Sequence, residues 1–426
     1  MTNSGPKLAI LAALRQGPDV FALKPLPTLN KPRGRVLLKW LDRSGLALTF
    51  LRQLQNHGAA SQLSEAWHHA LCQRLAANAA RTRDMLEEAQ RITAAFCSFE
   101  VTAALLKGIT LAPDFCDDLI LRHQVDFDFL IDRQEVHRAA DALRSCGYSA
   151  ASLNESGESC FLTPLLHIPS RNDDLYAMQR QRQIDLHTSL WEPCAWLPVQ
   201  VPQDCLKFAR PQTIAGVDYL SPSLEDKFLF QVLHAFRHSF RSWIRLSWLL
   251  EIAKCIDNHT DDAELWGRVV SRAGDTHLSK SIFAFVLGLV TRLFGIPAPE
   301  VLRSWCADSL TLSLCAWLDH FGVDWAISDG PGSLNNLFLT AEFIPDSSLR
   351  AKYWRSRLVP GKTQTSLGSV AANDAKKFLR LQAARVGYVA HRAAVHLKDI
   401  VALPIQQFRW RRALESCRRP GFDKNC

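Results

Sequence analysis

The sequence predicts an α+β chain, with a small mixed β-sheet set between helical regions. Three observations predict this. Residues 35–97 carry apolar side chains at spacings of three and four with no proline, the pattern of amphipathic helices. In the run "VDFDFLI" (125–131), Val125, Phe127, Phe129 and Ile131 alternate with Asp126, Asp128 and Leu130, the period-two pattern of a strand with one apolar face. After Pro222 helical spacing returns in "LEDKFLFQVLHAFRHSF" and "WIRLSWLLEIAKCI".

Between these landmarks the elements follow in order. "FEVTAALLKG" reads as a short buried strand ending at Gly108. Residues 109–118 read as a brief helix that Pro113 interrupts or delays. After the aspartate strand, Asp132 with Glu135 fits a capping box. The helix it opens buries Val136, Ala139, Ala140 and Leu143 and stops at Gly147. Further strands are expected at 160–168 and 182–190. Residues 327–336 and 360–374 read as loops, and the tail beyond them as helical. The expected organisation is a helical region at 1–97, a sheet-bearing core at 98–195, a helical domain at 196–345 and a basic, mainly helical region at 346–426.

Composition bounds the function. With 47% hydrophobic and 22% charged residues among 426, the chain has the make-up of a folded, soluble protein. No apolar run reaches the 18 or more residues of a membrane span, and "IFAFVLGLV" (282–290) is expected to be a buried helix. Twelve cysteines occur without a CxxC spacing, and the N-terminus shows no small-residue cleavage site, so reduced thiols and a cytoplasmic location are expected. Residues 350–426 hold 17 Lys and Arg against four acids, while the preceding 349 residues hold 33 against 38. Such a basic tail suits a polyanion-facing surface, and its last helical segment can either lie on an anionic membrane or pack on the protein's own body, with packing the expectation. No RNA-binding signature accompanies it, so no specific nucleic acid is indicated.

The chemistry gathers on the strands. Asp126 and Asp128 project from one face, roughly 7 Å apart at the backbone. In "QIDLH", Asp185 and His187 share a face by the same period. Should these strands be neighbours, three carboxylates meet at one point and need a cation between them. Hard oxygen donors select Mg²⁺ or Mn²⁺, and a pair of such ions serves in-line attack at phosphorus. Lys107 and Gly108, at a strand-to-helix turn, suit a triphosphate. On this reading, Asp126→Ala or Asp128→Ala leaves the fold intact or slightly more stable, by relieving repulsion.

The set "LLKG", Arg122, "VDFDFLI", Gly147-Tyr148 and "IDLH" resembles the bacterial nucleotidyltransferase family within the DNA polymerase β-like superfamily. The likeness spans about residues 38–260 and includes "LHAFRHSFRSWIRLSWLLEIAK". It implies that Asp126 and Asp128 bind the catalytic metals, and that Asp185 helps hold a metal and accepts the acceptor's proton. Lys107 and Gly108 stand where the superfamily usually has Gly-Ser, and Ile109 offers no hydroxyl there. Arg122 matches the family's arginine, with phosphate contact or pairing with an aspartate as its two open roles.

Other residues are accessory candidates. His234 and His238 are four apart on one helix face, a spacing open to metal binding, nucleotide contact or structure. His187 could assist proton transfer or serve as a hydrogen-bonded core histidine. Arg245, Trp243 and Trp248 could frame a base or belong to the core. The expected activity is transfer of a nucleoside monophosphate, AMP from Mg-ATP, to a hydroxyl of a small molecule, sugar, peptide or protein. The rival readings are a metal-dependent DxD glycosyltransferase and a degenerate nucleotidyltransferase that only binds.

Overall fold

The structure is a computed structural model that describes residues 4–16, 26–154, 158–163, 175–176, 182–192, 196–241, 244–328, 333–358, 387, 397 and 401–417. Four helices open the chain: α1 (Ser4–Gln16), α2 (Pro32–Ser44), α3 (Ala47–Asn56) and α4 (Glu65–Ser98). Pro32 starts α2 where a missing N–H costs nothing. Gly45 ends it in the left-handed region at φ 75°. The Gly45 site is also crowded, because a Cβ there would sit 2.5 Å from Arg245 Nε and from Ser247 Oγ.

The sheet comprises β1 (Ala103–Leu105), β2 (Asp126–Ile131), β3 (Ser149–Ser152), β4 (Glu158–Leu162) and β5 (Gln183–His187), in the order β1-β2-β5-β4-β3. Only the β2–β5 pair is parallel, so the sheet is mixed. Between β2 and β3 lies α5 (Val136–Ser145), and Gly147 follows at φ 88°. Phe127, Phe129 and Ile131 of β2 join Ile184 and Leu186 of β5 and Phe161 of β4 in one apolar layer. That layer packs on Met85, Ala89, Ile92 and Phe96 of α4 and on Val136, Ala139 and Leu143 of α5. Period two therefore sends Asp126, Asp128, Asp185 and His187 to the other face.

Beyond the sheet come α6 (Cys205–Phe208), a hairpin of β6 (Arg210–Ile214) and β7 (Val217–Ser221), then α7 (Leu224–Arg241), α8 (Leu246–Asn258), α9 (Ala263–Ala273) and α10 (His277–Phe294). The chain continues through α11 (Glu300–Cys306), α12 (Leu312–Trp317), α13 (Val323–Ala326), α14 (Ser333–Phe343) and α15 (Ser347–Leu358), with a further helical stretch at 401–417. One apolar core runs through α1–α3, the N-terminal part of α4 and the helices after the sheet, from Leu11 and Trp67 to Phe236, Phe285 and Trp317. Helix α4 thus belongs to both cores. Among the described residues only α10 is long and apolar enough to cross a membrane, and 72% of its apolar window is buried inside the protein. The ten described cysteines are all free thiols.

Several expectations shift in detail. Residues 109–118 form only a short 3-10 turn, Gly108–Leu111, before a cis Ala112-Pro113 bond. Asp132 caps by accepting from Gln134 N at 2.8 Å, but Glu135 does not close the box. Its carboxylate instead accepts from Thr102 N at 3.0 Å and pairs with Arg138. The strand expected at 160–168 lies at 158–162, and 164–168 fall outside the described residues. The loop at 360–374 lies outside them as well, while α14 begins at Ser333 inside the stretch read as a loop. The β6–β7 hairpin was not anticipated. Its turn, Ala215-Gly216, has both residues at positive φ (52° and 79°), the twist a two-residue hairpin demands.

Gly45→Ala should lower stability by about 1–3 kcal/mol, because both the positive φ and the Arg245 and Ser247 contacts oppose a Cβ. Thermal denaturation checks this, and an unchanged melting temperature would count against the described α2–α8 contact.

Candidate active site

Register brings the carboxylates together. Strands β2 and β5 pair so that Asp128 faces Asp185, and Asp126 faces Gln183. Ligand oxygens of Asp126, Asp128 and Asp185 all lie within 4.8 Å of one another. Asp128 and Asp185 are 3% and 5% exposed, so water cannot dissipate their repulsion. Asp126 is more open, with 27% of its side chain exposed. The helices α7 and α8 send side chains over this face of the sheet: His234 meets Lys107, Phe230 packs on His187 and Glu251 pairs with Arg122.

Lys107 supplies the counter-charge. It follows β1, which is antiparallel to β2, so its side chain lies beside the aspartates. Its Nζ is 3.2 Å from Asp128 Oδ2 and 3.7 Å from Asp126 Oδ2. Burial opposes the ammonium, but Asp126 and Asp128 outweigh it and raise the Lys107 pKa. The Asp128 carboxylate is likewise held low. Burial disfavours its charge, yet Lys107 first and then the His187 hydrogen bond overcome that cost. His187 Nε2 lies 3.1 Å from Asp128 Oδ1, and this bond raises the imidazole pKa despite burial.

Asp185 moves the other way. Burial first, then the charges of Asp128 and Glu158, push its carboxyl up to about 7, although Gln183 donates to it. Gln183 Nε2 lies 2.8 Å from each Asp185 oxygen and fixes the plane of the group. Two carboxylates facing each other across a strand pair thus divide into one firmly ionised and one poised near neutrality.

The accessory histidines have separate duties. His234 Nε2 accepts from Lys107 Nζ at 3.3 Å. Burial, then the neighbouring Lys107 and His238, hold His234 well below the usual histidine range, so it stays neutral. Its ring sits 4.6 Å from His238 and 4.4 Å from Trp248. Among the described residues no third metal-type ligand joins this pair. Trp243 lies outside the described residues.

The arginines are anchored by acids that the sequence reading did not single out. Arg122 gives its Nε to Glu251 of α8 at 2.9 Å, and Gln231 of α7 holds the other Glu251 oxygen at 2.9 Å. Arg122 therefore pairs with a glutamate on the covering helix. Arg245 Nη2 contacts His123 Nδ1 at 3.1 Å, and its Nε abuts Gly45. At the rim, Arg237 bridges Glu158 (3.2 Å) and Glu192. Buried Glu251, a lone acid inside the apolar "WLLEIAKCI", was the available signal for the first of these pairs.

Gly108 is buried at φ 84°, and a Cβ there would collide with the Gln124 amide. Gln124 Nε2 in turn donates to Asp126 O at 2.7 Å. The glycine thus makes room for a side chain that props the start of β2. A divalent cation suits the carboxylates: three hard oxygen donors converge, and the buried Asp128 Oδ2 has an ion-pair partner but no hydrogen bond.

A sequence profile described as "uncharacterised nucleotidyltransferase" matches residues 32–295. No curated protein and no solved structure matches the chain. The matched span runs from α2 through α10 and so includes every strand of the sheet and the helices α7 and α8 that lie over the aspartates' face. With the family's profile covering well over half of its length, the chain belongs to this family of uncharacterised nucleotidyltransferases.

Proposed function

We propose that the protein transfers a nucleoside monophosphate, AMP from ATP, onto a hydroxyl-bearing acceptor and releases pyrophosphate. The acceptor oxygen forms a bond to the α-phosphorus while the bond to the bridging α–β oxygen breaks. The observation that carries this reading is the in-register pairing of Asp128 with Asp185, with Asp126 beside them. Asp126, Asp128 and Asp185 would hold Mg²⁺ or Mn²⁺, which when bound would activate the acceptor hydroxyl and offset charge on the departing pyrophosphate.

The chain's own residues have distinct parts. Asp185, set opposite Asp128 and held in plane by Gln183, is the carboxylate suited to take the acceptor's proton. His187 orients Asp128 and keeps it ionised. Lys107 can pass from the carboxylates to the phosphates of the nucleotide, with neutral His234 holding it at the edge of the site. Arg122, fixed by Glu251, keeps its remaining N–H groups for phosphate. Glycosyl transfer fits less well, since among the described residues only β1 precedes the DxD strand and no run of βα units leads into it. A binding-only protein draws support from Gly108, which lies under Gln124.

Incubation with α-labelled nucleoside triphosphates, Mn²⁺ and a lysate should tag an acceptor and yield pyrophosphate. Nucleotide binding with no transfer to any acceptor would favour the binding-only reading, and UDP as product would favour glycosyl transfer. Asp128→Ala should cut labelling by about a thousandfold or more. It should also lower stability by about 1–3 kcal/mol, since it leaves Lys107 and His187 buried without their acid. Lys107 between the carboxylates therefore reverses the stabilisation that repulsion alone suggested. A fully active Asp128→Ala protein would end the assignment.

Asp185 gives a pH signature. Its carboxyl ionises above about 4 when unfolded but only near 7 when folded, so the stability it contributes is complete below about pH 4 and drains away up to 7. In chelator, Asp185→Asn should be more stable than wild type by about 1–3 kcal/mol at pH 8 and lose that advantage near pH 4. A pH-independent difference would refute the assigned environment.

Lys107→Ala should raise KM for the nucleotide about tenfold, and without nucleotide it should bind Mn²⁺ more tightly than wild type, because the competing ammonium is gone. Calorimetry reads the second effect. Unaltered Mn²⁺ affinity would show that Lys107 does not contend for the carboxylates.

A further inference from the structure

The helical stretch 401–417 is apolar on two opposite sides. Its inner side is accounted for: Ala413 and Cys417 are buried, Trp410 stacks on Phe338 with centroids 5.2 Å apart, and Ser416 meets His320 at 3.1 Å. Its outer side carries Val401, Ile405 and Phe408, exposed by 73%, 64% and 61%; helical Leu397 is exposed by 65%. These four are the most exposed large hydrophobic side chains among the described residues. Spacings of four and three place Val401, Ile405 and Phe408 on one stripe, roughly 10 Å long at 1.5 Å per residue. A helix with apolar residues on both faces is ordinarily covered on both.

Charge decides what covers the outer face. Arg409, Arg411 and Arg412 follow the stripe, Arg411 and Arg412 on its own side, and Glu415 is the single acid in 401–417. Arg412 lies over the Phe408 ring at 5.8 Å, so cation and apolar side chain share one surface. The whole segment from residue 350 onward has 17 basic residues against four acidic ones. A second copy of the chain would bring like charges face to face. An anionic lipid surface offers what the stripe needs, a plane of negative headgroups above an apolar layer.

We infer that the outer face of 401–417 docks the protein peripherally on anionic membranes, with Val401, Ile405 and Phe408 entering the headgroup boundary and Arg411 and Arg412 pairing with lipid phosphates. This placement is independent of the proposed chemistry and leaves the candidate active site intact.

The test is co-sedimentation of the full chain with vesicles of phosphatidylcholine alone or mixed with phosphatidylglycerol. Wild type should sediment with the mixed vesicles at low salt and stay in solution with the neutral ones. Val401→Ser with Ile405→Ser and Phe408→Ser, and separately Arg411→Glu with Arg412→Glu, should each weaken binding by about tenfold or more while the melting temperature stays put, since all five side chains are exposed. Absence of wild-type binding overturns the inference, as does undiminished binding by the triple variant. Concentration-dependent dimerisation without vesicle binding, abolished in the triple variant, would replace it with self-association.

Discussion

Two acids facing each other across a parallel strand pair, with one lysine beside them, set the terms for the rest of this structure. Asp128 and Asp185 occupy the same rung of β2 and β5. Both are buried, and like charges in that position are unfavourable unless something compensates them. The protein compensates one side only. Lys107 and His187 both turn to Asp128, whereas Asp185 receives the neutral amide of Gln183. That asymmetry separates the two carboxyls by environment, the condition under which neighbouring acids take different chemical roles.

The surrounding helices follow from that requirement. Lys107 is held at the carboxylates by His234, which must stay neutral to accept its hydrogen bond, and the apolar and cationic surroundings of α7 keep it so. Arg122 lies within the field of Asp126, and its Glu251 partner balances its charge. Helix α4 carries one end of the sheet's core and one end of the helical core, which fixes the sheet against the helices that lie over its face. The separation into sheet and helical parts is thus one of architecture, while the packing is shared.

The period-two pattern made β2 and β5 legible, because it reports the pleat directly and the two faces differ so sharply in polarity. The convergence of Asp126, Asp128 and Asp185 depended on the strands being neighbours, which the motif resemblance supplied and spacing alone did not. What stayed hidden was long-range. Arg122 and Glu251 are 129 residues apart, and Lys107 and His234 are 127 apart. No local pattern pairs them, and with several acids and bases to choose among, sequence order favours none. Glu135 shows the converse: its local capping signal was sound, but Thr102 N on a neighbouring segment offered a better use for the carboxylate. The β6–β7 hairpin was missed because Ala-Gly is a weaker turn signal than Asn-Gly.

Gly108 separates this chain from what its superfamily resemblance implies. A glycine in this turn was expected to let phosphate approach the backbone, and here its missing Cβ admits the Gln124 amide. Gln124 donates to the backbone oxygen of Asp126, so the glycine acts on the carboxylate strand from behind. On the proposed reading, the positive charge that a phosphate-binding turn would offer through backbone N–H groups would come instead from side chains, Lys107 and Arg122, both of which start on acids. A triphosphate entering such a site must draw these cations away from carboxylates that a divalent ion could then claim. Nucleotide entry and metal entry would favour each other for electrostatic reasons alone, because each removes what opposes the other.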